Sequence, residues 1–287
     1  MSRAVLAAYL ACALIWGTTW YAIRVCIGPG GYPTFASLGL RFAIASAVLV
    51  PLALRARPWP RGAQWLPLVI AGVLDAGGYL LVYLGEERVS GGIAAVVYGT
   101  QPLVLAVLLA TTRMERLTGK HVIGACVSLA GVAVLFLDRL DVSARQAVGV
   151  ALVVGSVVVA TIYSMIMKRS GGAVPTLIAT TIFLAVTALV LGAVALAARE
   201  PVPWPPPVAP TAALAYLAIV GSVVAFLVYF WLLDRTSLQT TSTLVFVYPL
   251  VALLCDALFE RAISLGVRAY LGAAITLGGL AVSLRRG

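Results

Sequence analysis

Long apolar runs, separated by short polar stretches, follow one another along the whole chain. Several of these runs reach the roughly 18 to 20 residues that an α-helix needs to cross the hydrocarbon core of a bilayer. The run at residues 150–160 lacks the strict alternation that is typical of strands in a membrane barrel. The pattern therefore predicts an all-α integral membrane protein without a soluble domain. Ten transmembrane helices are predicted, at residues 4–27, 33–54, 65–85, 91–111, 119–137, 147–167, 174–197, 211–233, 237–258 and 266–284.

Two of the apolar runs are interrupted near their middle by a proline. The first holds Gln101 and Pro102, and the second holds Tyr248 and Pro249, 147 residues further along the chain. Proline lacks the N–H that a helix needs, and a polar amide is costly at membrane depth. Interrupted spans at matching positions in two halves indicate the binding site of a secondary transporter. We therefore predict that Pro102 and Pro249 are hinges; lining of the site by the freed carbonyls is the alternative.

Short motifs recur in the two halves of the chain, in the same order and at a nearly constant offset. The repeated pairs are 33–34 and 175–176, 81–83 and 227–229, 115–116 and 260–261, Gly124 and Gly272, and Gly131 and Gly279. They predict a first five-helix repeat at residues 1–137, a linker at 138–146 and a second five-helix repeat at 147–287. Because five is an odd number, the second repeat must enter the membrane from the opposite side. The predicted architecture is two inverted five-helix repeats around a central cavity.

Charge is scarce in this sequence, in which 62% of residues are hydrophobic and 10% are charged, against about 25% charged in a soluble domain. The net charge of +10 is scattered over the ends of apolar runs, so it indicates membrane topology and a lipid partner instead of nucleic acid. Twelve lysines and arginines fall in loops on the side of the N-terminus and seven on the other side, which predicts that both termini are cytoplasmic. A signal peptide cleaved near Cys12 is the alternative, but the apolar run continues to Ile27 and favours an uncleaved span.

Two charged residues are predicted near the middle of their spans, Arg41 in the second and Asp75 in the third. Each costs roughly 2.5 to 3.5 kcal/mol in a membrane if it has no partner. An ion pair between the two neighbouring helices is the simpler interpretation, because both charges lie at equal depth. A substrate-carboxylate clamp at Arg41 or a proton carrier at Asp75 is the alternative.

Aromatic, hydroxyl and amide side chains also lie at membrane depth, on single helix faces. Ser222 and Phe226, for example, lie on one face of the eighth span with a tyrosine that follows them. Lipid-facing positions avoid such polar groups, whereas a cavity does not. For the tryptophans of the first span, which are too deep for an aromatic belt, packing and substrate contact remain equal alternatives. The predicted substrate-binding residues are Trp16, Trp20, Tyr79, Tyr83, Tyr98, Gln101, Ser164, Tyr229 and Tyr248.

Other chemistry-bearing residues indicate structural roles. The four cysteines lie in apolar runs without metal-ligand spacing, so neither a metal nor a cofactor is expected. The single histidine, His121, and the lack of HExxH, GxSxG and GxGD motifs argue against an intramembrane enzyme. No nucleotide-binding loop is present, which leaves a substrate gradient or protons as the driving force. The paired glycines of spans five and ten indicate close helix packing or a homodimer contact.

Several of these motifs together resemble a known family. They are Trp16-Gly17-Thr18-Thr19, Leu40-Arg41-Phe42, Pro102 with Glu115-Arg116-Leu117 and Gly124, and Pro249 with Glu260-Arg261 and Gly272. Their order and duplication resemble the ten-span EamA-type carriers of the drug/metabolite transporter superfamily, over essentially the whole chain. The resemblance implies a cavity between the halves, a multi-pass protein of the bacterial inner membrane with a cytoplasmic N-terminus, and export of aromatic and other amino acids.

We interpret the chain as an exporter of amino acids and related small metabolites that works by alternating access. The rings and the amide of the predicted cavity would contact an apolar side chain and hydrogen-bond the amino and carboxylate groups. Cationic drugs or a sugar-linked metabolite are the alternative substrates. A sugar nucleotide would need several basic residues, and Arg41 is the only one predicted at depth. A receptor or lipid scaffold is a further alternative, which explains the repeat less well.

Overall fold

The computed structural model describes residues 2–89, 94, 97–136, 144–170, 173–259 and 267–284. Within these ranges the regular secondary structure is entirely helical, and no strand is formed. The helices are α1 (Arg3–Ile27), α2 (Thr34–Leu54), α3 (Trp65–Glu86), α4 (Gln101–Thr112), α5 (Gly119–Phe136), α6 (Ala144–Ser170), α7 (Thr176–Ala198), α8 (Val208–Ala218), α9 (Ala225–Arg235), α10 (Leu238–Ser242), α11 (Tyr248–Phe259) and α12 (Val267–Leu284).

Among the described residues, six helical segments are long and apolar enough to cross a membrane. They are Arg3–Ile27, Thr34–Leu54, Gly62–Glu86, Arg145–Ser170, Thr176–Ala198 and Val208–Arg235. Shorter apolar helices occupy the other predicted spans. The all-α fold with several membrane-length helices is therefore confirmed, while the total of ten spans stays a prediction. The second Glu-Arg motif at 260–261, most of the predicted linker at 138–146 and the beginnings of spans four and ten lie outside the described residues.

The repeated proline-threonine pair begins a helix in each half of the chain. Helix α2 begins at Thr34 with Pro33 as its N-cap, and α7 begins at Thr176 with Pro175 as its N-cap. The first turn of a helix makes no use of its own N–H groups, so a proline at this point removes no helical hydrogen bond. The same sequence motif thus has the same local structure at both positions.

The chain forms two compact units, and each draws on both halves of the sequence. The first unit consists of Met1–Tyr79 and Ile162–Arg235, and the second of Leu80–Thr161 and Thr236–Gly287. The boundaries fall inside α3 and α6, so each of these helices contributes to both units.

In the first unit, α2 packs along α7, and α1 packs against α8 and α9. Its interior is rich in aromatic rings, among which Phe42, Phe183 and Phe226 are fully buried. These large side chains fill the space between the helices.

In the second unit, α5 packs closely along α12. A side-chain carbon at Gly124 would lie 2.6 Å from the carbonyl oxygen of Gly279, and one at Gly131 would lie 2.8 Å from the carbonyl oxygen of Gly272. Ser128 on α5 donates a hydrogen bond of 3.0 Å to the carbonyl of Thr276 on α12. The paired glycines therefore allow α5 and α12 to pack closely within the chain, and a homodimer contact stays a prediction.

Candidate functional site

The prolines of the two interrupted runs begin helices in the second unit. Pro102 is the second residue of α4, which follows a turn at residues 99–100. Pro249 is the second residue of α11, which follows a 3₁₀ segment at Thr243–Phe246. At the first turn of a helix the missing N–H of proline is not needed. Both spans are thus broken at the proline, and the role of Pro102 and Pro249 as hinges stays a prediction.

The two breaks pack against a common hydrophobic cluster in the second unit. The cluster is formed by Ala125, Val132, Val245, Phe246 and Leu280. Residues next to the breaks lie against it, namely Tyr98 and Leu103, which flank the first proline, and Val247 and Tyr248, which precede the second. Residues next to both breaks therefore pack against the same cluster.

The predicted site residues of the second unit differ in their surroundings. Tyr83 is buried, at 3% exposure, and Tyr98 shares a hydrogen bond of 2.6 Å with Ser156. Tyr248 is half-buried against the cluster. Gln101 is half-buried at the start of α4, and its amide has no hydrogen-bond partner among the described residues. The role of Gln101 in substrate binding stays a prediction.

Three hydrogen bonds connect the loop after α4 to the start of α10. The carboxylate of Glu115 accepts a hydrogen bond of 2.8 Å from the N–H of Leu238. The side-chain amide of Gln239 donates to the carbonyl of Arg116 at 2.8 Å and accepts from the N–H of Thr118 at 3.4 Å. A carboxylate stabilises the N-terminus of a helix, so the Glu-Arg motif has a structural role here. Sequence reasoning missed Gln239, whose signal was an amide at the start of an apolar run.

In the first unit, three predicted site residues come together. Trp16 on α1 packs edge-on against Phe226 and Tyr229 on α9, with ring centroids 5.6 and 5.0 Å apart. The hydroxyl of Tyr229 donates a hydrogen bond of 2.9 Å to Ser164 on α6. Trp20 is half-buried, four residues further along α1. Aromatic rings with a satisfied hydroxyl form a rigid apolar surface with a polar edge.

Arg41 lies in the interior of the first unit, with 2% of its surface exposed. Its Nε donates to the hydroxyl of Ser222 at 2.9 Å, and one Nη donates to the carbonyl of Gly221 and to the hydroxyl of Tyr79, both at 3.3 Å. The guanidinium also lies 5.1 Å from the ring centroid of Tyr79 and 5.2 Å from that of Phe42. Neutral dipoles and aromatic faces thus stabilise this buried charge.

Asp75 is also 2% exposed, and its carboxylate has a different partner. The hydroxyl of Thr187 on α7 lies 3.0 Å from a carboxylate oxygen of Asp75. The same hydroxyl lies 3.1 Å from the carbonyl of Gly72 on α3 and 3.0 Å from the carbonyl of Phe183 on its own helix, so one donor has three acceptors within reach. Sequence reasoning paired the two charges directly and did not identify Thr187.

Gly221 and Ser222, which accept hydrogen bonds from Arg41, belong to a π-helical segment at Ile219–Val224. This segment lies within the continuous helical stretch Val208–Arg235. The N–H of Ala225 donates to the carbonyl of Val220, and the hydroxyl of Ser222 donates to the carbonyl of Leu217 at 3.0 Å, each five residues back. π-Helical segments are rare in proteins, and those that occur often lie at functional sites. The sequence pattern singled out Ser222 and Phe226 but gave no sign of the π-helix.

Comparison with solved structures shows the fold. A chain in a crystal structure superimposes with a TM-score of 0.80 at 23% sequence identity, covering 99% of this chain and 98% of that chain. The all-helical arrangement found here is therefore one that is already known from experiment.

Curated relatives share 25 to 29% of their residues with this chain over most of its length. Protein PagO of Salmonella typhimurium is 25% identical over 89% of this chain and 85% of its own. The uncharacterized inner membrane transporter YedA of Escherichia coli is 27% identical over 86% of this chain and 80% of its own. A probable terminal-alkyne amino-acid exporter of Streptantibioticus cattleyicolor is 29% identical over 88% of this chain and 84% of its own.

The model of the EamA-like transporter family matches twice, at residues 2–137 and 147–285. The two matches cover almost the whole sequence and agree with the resemblance of its motifs. This chain belongs to the EamA-like transporter family.

Proposed function

We propose that this transporter exports amino acids, both aromatic and other neutral ones, together with related small metabolites. Export proceeds by alternating access between two inverted halves of the chain. The membrane is the bacterial inner membrane, and both termini lie in the cytoplasm. A small-molecule substrate and membrane lipid are the partners.

The observation that carries this proposal is that residues next to both proline breaks pack against one cluster in the second unit. A broken helix at membrane depth exposes backbone groups that are tolerated only where protein or a cavity surrounds them. Two such breaks from equivalent positions of a repeat are the arrangement by which secondary transporters bind their substrates.

The side chains near the breaks favour an amino acid as the substrate. The amide of Gln101 can donate to a carboxylate and accept from an ammonium group. The aromatic rings of Tyr98 and Tyr248 offer apolar surface to a side chain. The name of the Streptantibioticus cattleyicolor relative, an amino-acid exporter, supports the same substrate class.

Uptake into proteoliposomes tests the proposal. The purified protein is reconstituted, and the entry of labelled phenylalanine, tryptophan, leucine and alanine is measured with and without a pH gradient, against liposomes without protein. Saturable uptake that is competed by several unlabelled amino acids is the expected result. Folded protein in the vesicles without uptake of any amino acid would contradict the proposal and direct the same assay to cationic compounds and sugar phosphates.

A further inference from the structure

The π-helical segment Ile219–Val224 changes the register of α9, which follows it in the helical stretch Val208–Arg235. A π-bulge accommodates one residue more than the α-helix around it. With 3.6 residues in each α-helical turn, one residue corresponds to a rotation of about 100°. Conversion of the segment into α-helix would therefore turn α9 by roughly that angle against its neighbours.

Arg41 binds the two groups that the bulge makes available. Its Nε donates to the hydroxyl of Ser222, which in turn donates to the carbonyl of Leu217 five residues back. Its Nη donates to the carbonyl of Gly221 inside the segment. The planar guanidinium donates the two bonds from two nitrogens in a fixed fork, whereas the three N–H groups of a lysine ammonium all radiate from one nitrogen.

Close packing by α1 fixes the same segment from another side. A side-chain carbon at Gly221 would lie 3.0 Å from the methyl carbon of Thr19, so only glycine fits without displacement. Arg41 and α1 together hold the backbone at Gly221 in place. The bulge is therefore an arrangement that several partners determine.

The residues directly after the bulge form the aromatic surface of the first unit. Phe226 and Tyr229 on α9 contact Trp16, and Tyr229 donates to Ser164. A rotation of α9 by about 100° would remove both contacts and bring other side chains to Trp16.

We propose that Arg41 is a positioning residue: it holds Ile219–Val224 in the π-helical form and so determines which face of α9 meets Trp16. Through this surface Arg41 sets the preference for aromatic over aliphatic amino acids. The preference rests on the proposed function, whereas the effect on the register of α9 does not.

The experiment compares Ser222→Ala and Arg41→Lys with the wild type in two measurements. Near-ultraviolet circular dichroism, corrected with a Trp16→Phe spectrum, reports the packing of Trp16. Proteoliposome uptake gives the ratio of phenylalanine to alanine transport. Ser128→Ala is the matched control, because it removes a buried serine hydroxyl from the second unit.

Both variants are expected to reduce the Trp16 signal with unchanged far-ultraviolet dichroism and to lower the phenylalanine-to-alanine ratio at least threefold. Their effects are expected not to add in the double variant, because both residues act through one hydrogen-bonded chain. An unchanged Trp16 signal in folded Ser222→Ala would overturn the proposal. A uniform loss of all amino acids in Arg41→Lys with an intact Trp16 signal would assign Arg41 to the substrate carboxylate instead.

Deletion of Val220 separates the register from other effects of the charge. Without the extra residue, the stretch Val208–Arg235 can continue as α-helix while α9 keeps its present face toward Trp16. Arg41→Lys in this background is expected to leave the Trp16 signal unchanged. If Arg41→Lys reduces the Trp16 signal equally in the wild type and in the Val220 deletion, the role of the bulge is contradicted. If the wild type transports no amino acid, the proposed function fails, and the Trp16 signal still decides the role of Arg41.

Discussion

Gln101 offers an amide at the first proline break that no described residue engages. We predict that Gln101→Ala lowers the apparent affinity for amino acids about fivefold, because it removes one hydrogen bond worth about 1 kcal/mol. Competition of labelled phenylalanine by a panel of amino acids measures the change. Gln64→Ala is the control, since Gln64 is an exposed glutamine at the end of the 3₁₀ segment Gly62–Gln64. The predicted role of Gln101 is wrong if both variants, at equal expression, show the same competition by the amino-acid panel as the wild type.

Thr187 supplies a hydroxyl to the buried carboxylate of Asp75. We predict that Thr187→Val lowers the free energy of unfolding by about 1 to 3 kcal/mol, because a buried polar group loses its partner. Thermal unfolding of the purified protein in detergent gives the change in unfolding temperature. Thr111→Val is the matched control, since Thr111 is exposed and bonds only to the carbonyl of Leu108 on its own helix. Equal shifts for the two variants would contradict a stabilising role of the Thr187 hydroxyl.

At single residues, the sequence grouped side chains that lie together in the structure, but it did not identify all of their partners. Trp16, Ser164 and Tyr229 were predicted site residues, and the structure brings them together. The sequence did not identify Thr187, because threonines in apolar helices commonly bond to their own backbone, as Thr180 does and as Thr187 also does at Phe183. Residue type alone therefore does not reveal which hydroxyl reaches a neighbouring helix.

At the level of elements, α5 and α12 provide a test of close packing, because α12 carries two adjacent glycines with different surroundings. A side-chain carbon at Gly279 would meet the backbone of Ser128 and Gly124, whereas one at Gly278 would meet nothing within 4 Å. We predict that Gly279→Ala destabilises the protein by about 1 to 3 kcal/mol through overpacking. Gly278→Ala is the control and is expected to leave the unfolding temperature unchanged or slightly raised. Similar unfolding temperatures for both variants would contradict the packing of α5 on α12.

The helix breaks could be predicted from the sequence, but the π-helical segment could not. Proline removes a donor wherever it stands, so Pro102 and Pro249 marked the interruptions directly. The segment Ile219–Val224 consists of residues that are ordinary in an apolar helix, and its extra residue shows only in the backbone, where the N–H of Ala225 donates to the carbonyl of Val220 five residues back. Its cause lies on another helix, at Arg41, which no local pattern can show.

At the level of the whole molecule, the sequence halves and the compact units are different divisions of the chain. The family matches at residues 2–137 and 147–285 follow the duplication, whereas each compact unit combines helices from both halves. A repeat in sequence records how the chain is duplicated. It does not determine which helices pack together, because helices of both copies share apolar faces that can pack on one another. The inverted arrangement and the central cavity remain predictions.

Counterflow tests the central claim of amino-acid transport by alternating access most directly. Proteoliposomes are loaded with an excess of unlabelled phenylalanine, and the entry of labelled phenylalanine at low external concentration is followed. A carrier that exposes one site to each side in turn is predicted to accumulate label transiently, several-fold above vesicles loaded with buffer alone. Label that enters at the same rate in both sets of vesicles and never exceeds the external concentration would contradict the account.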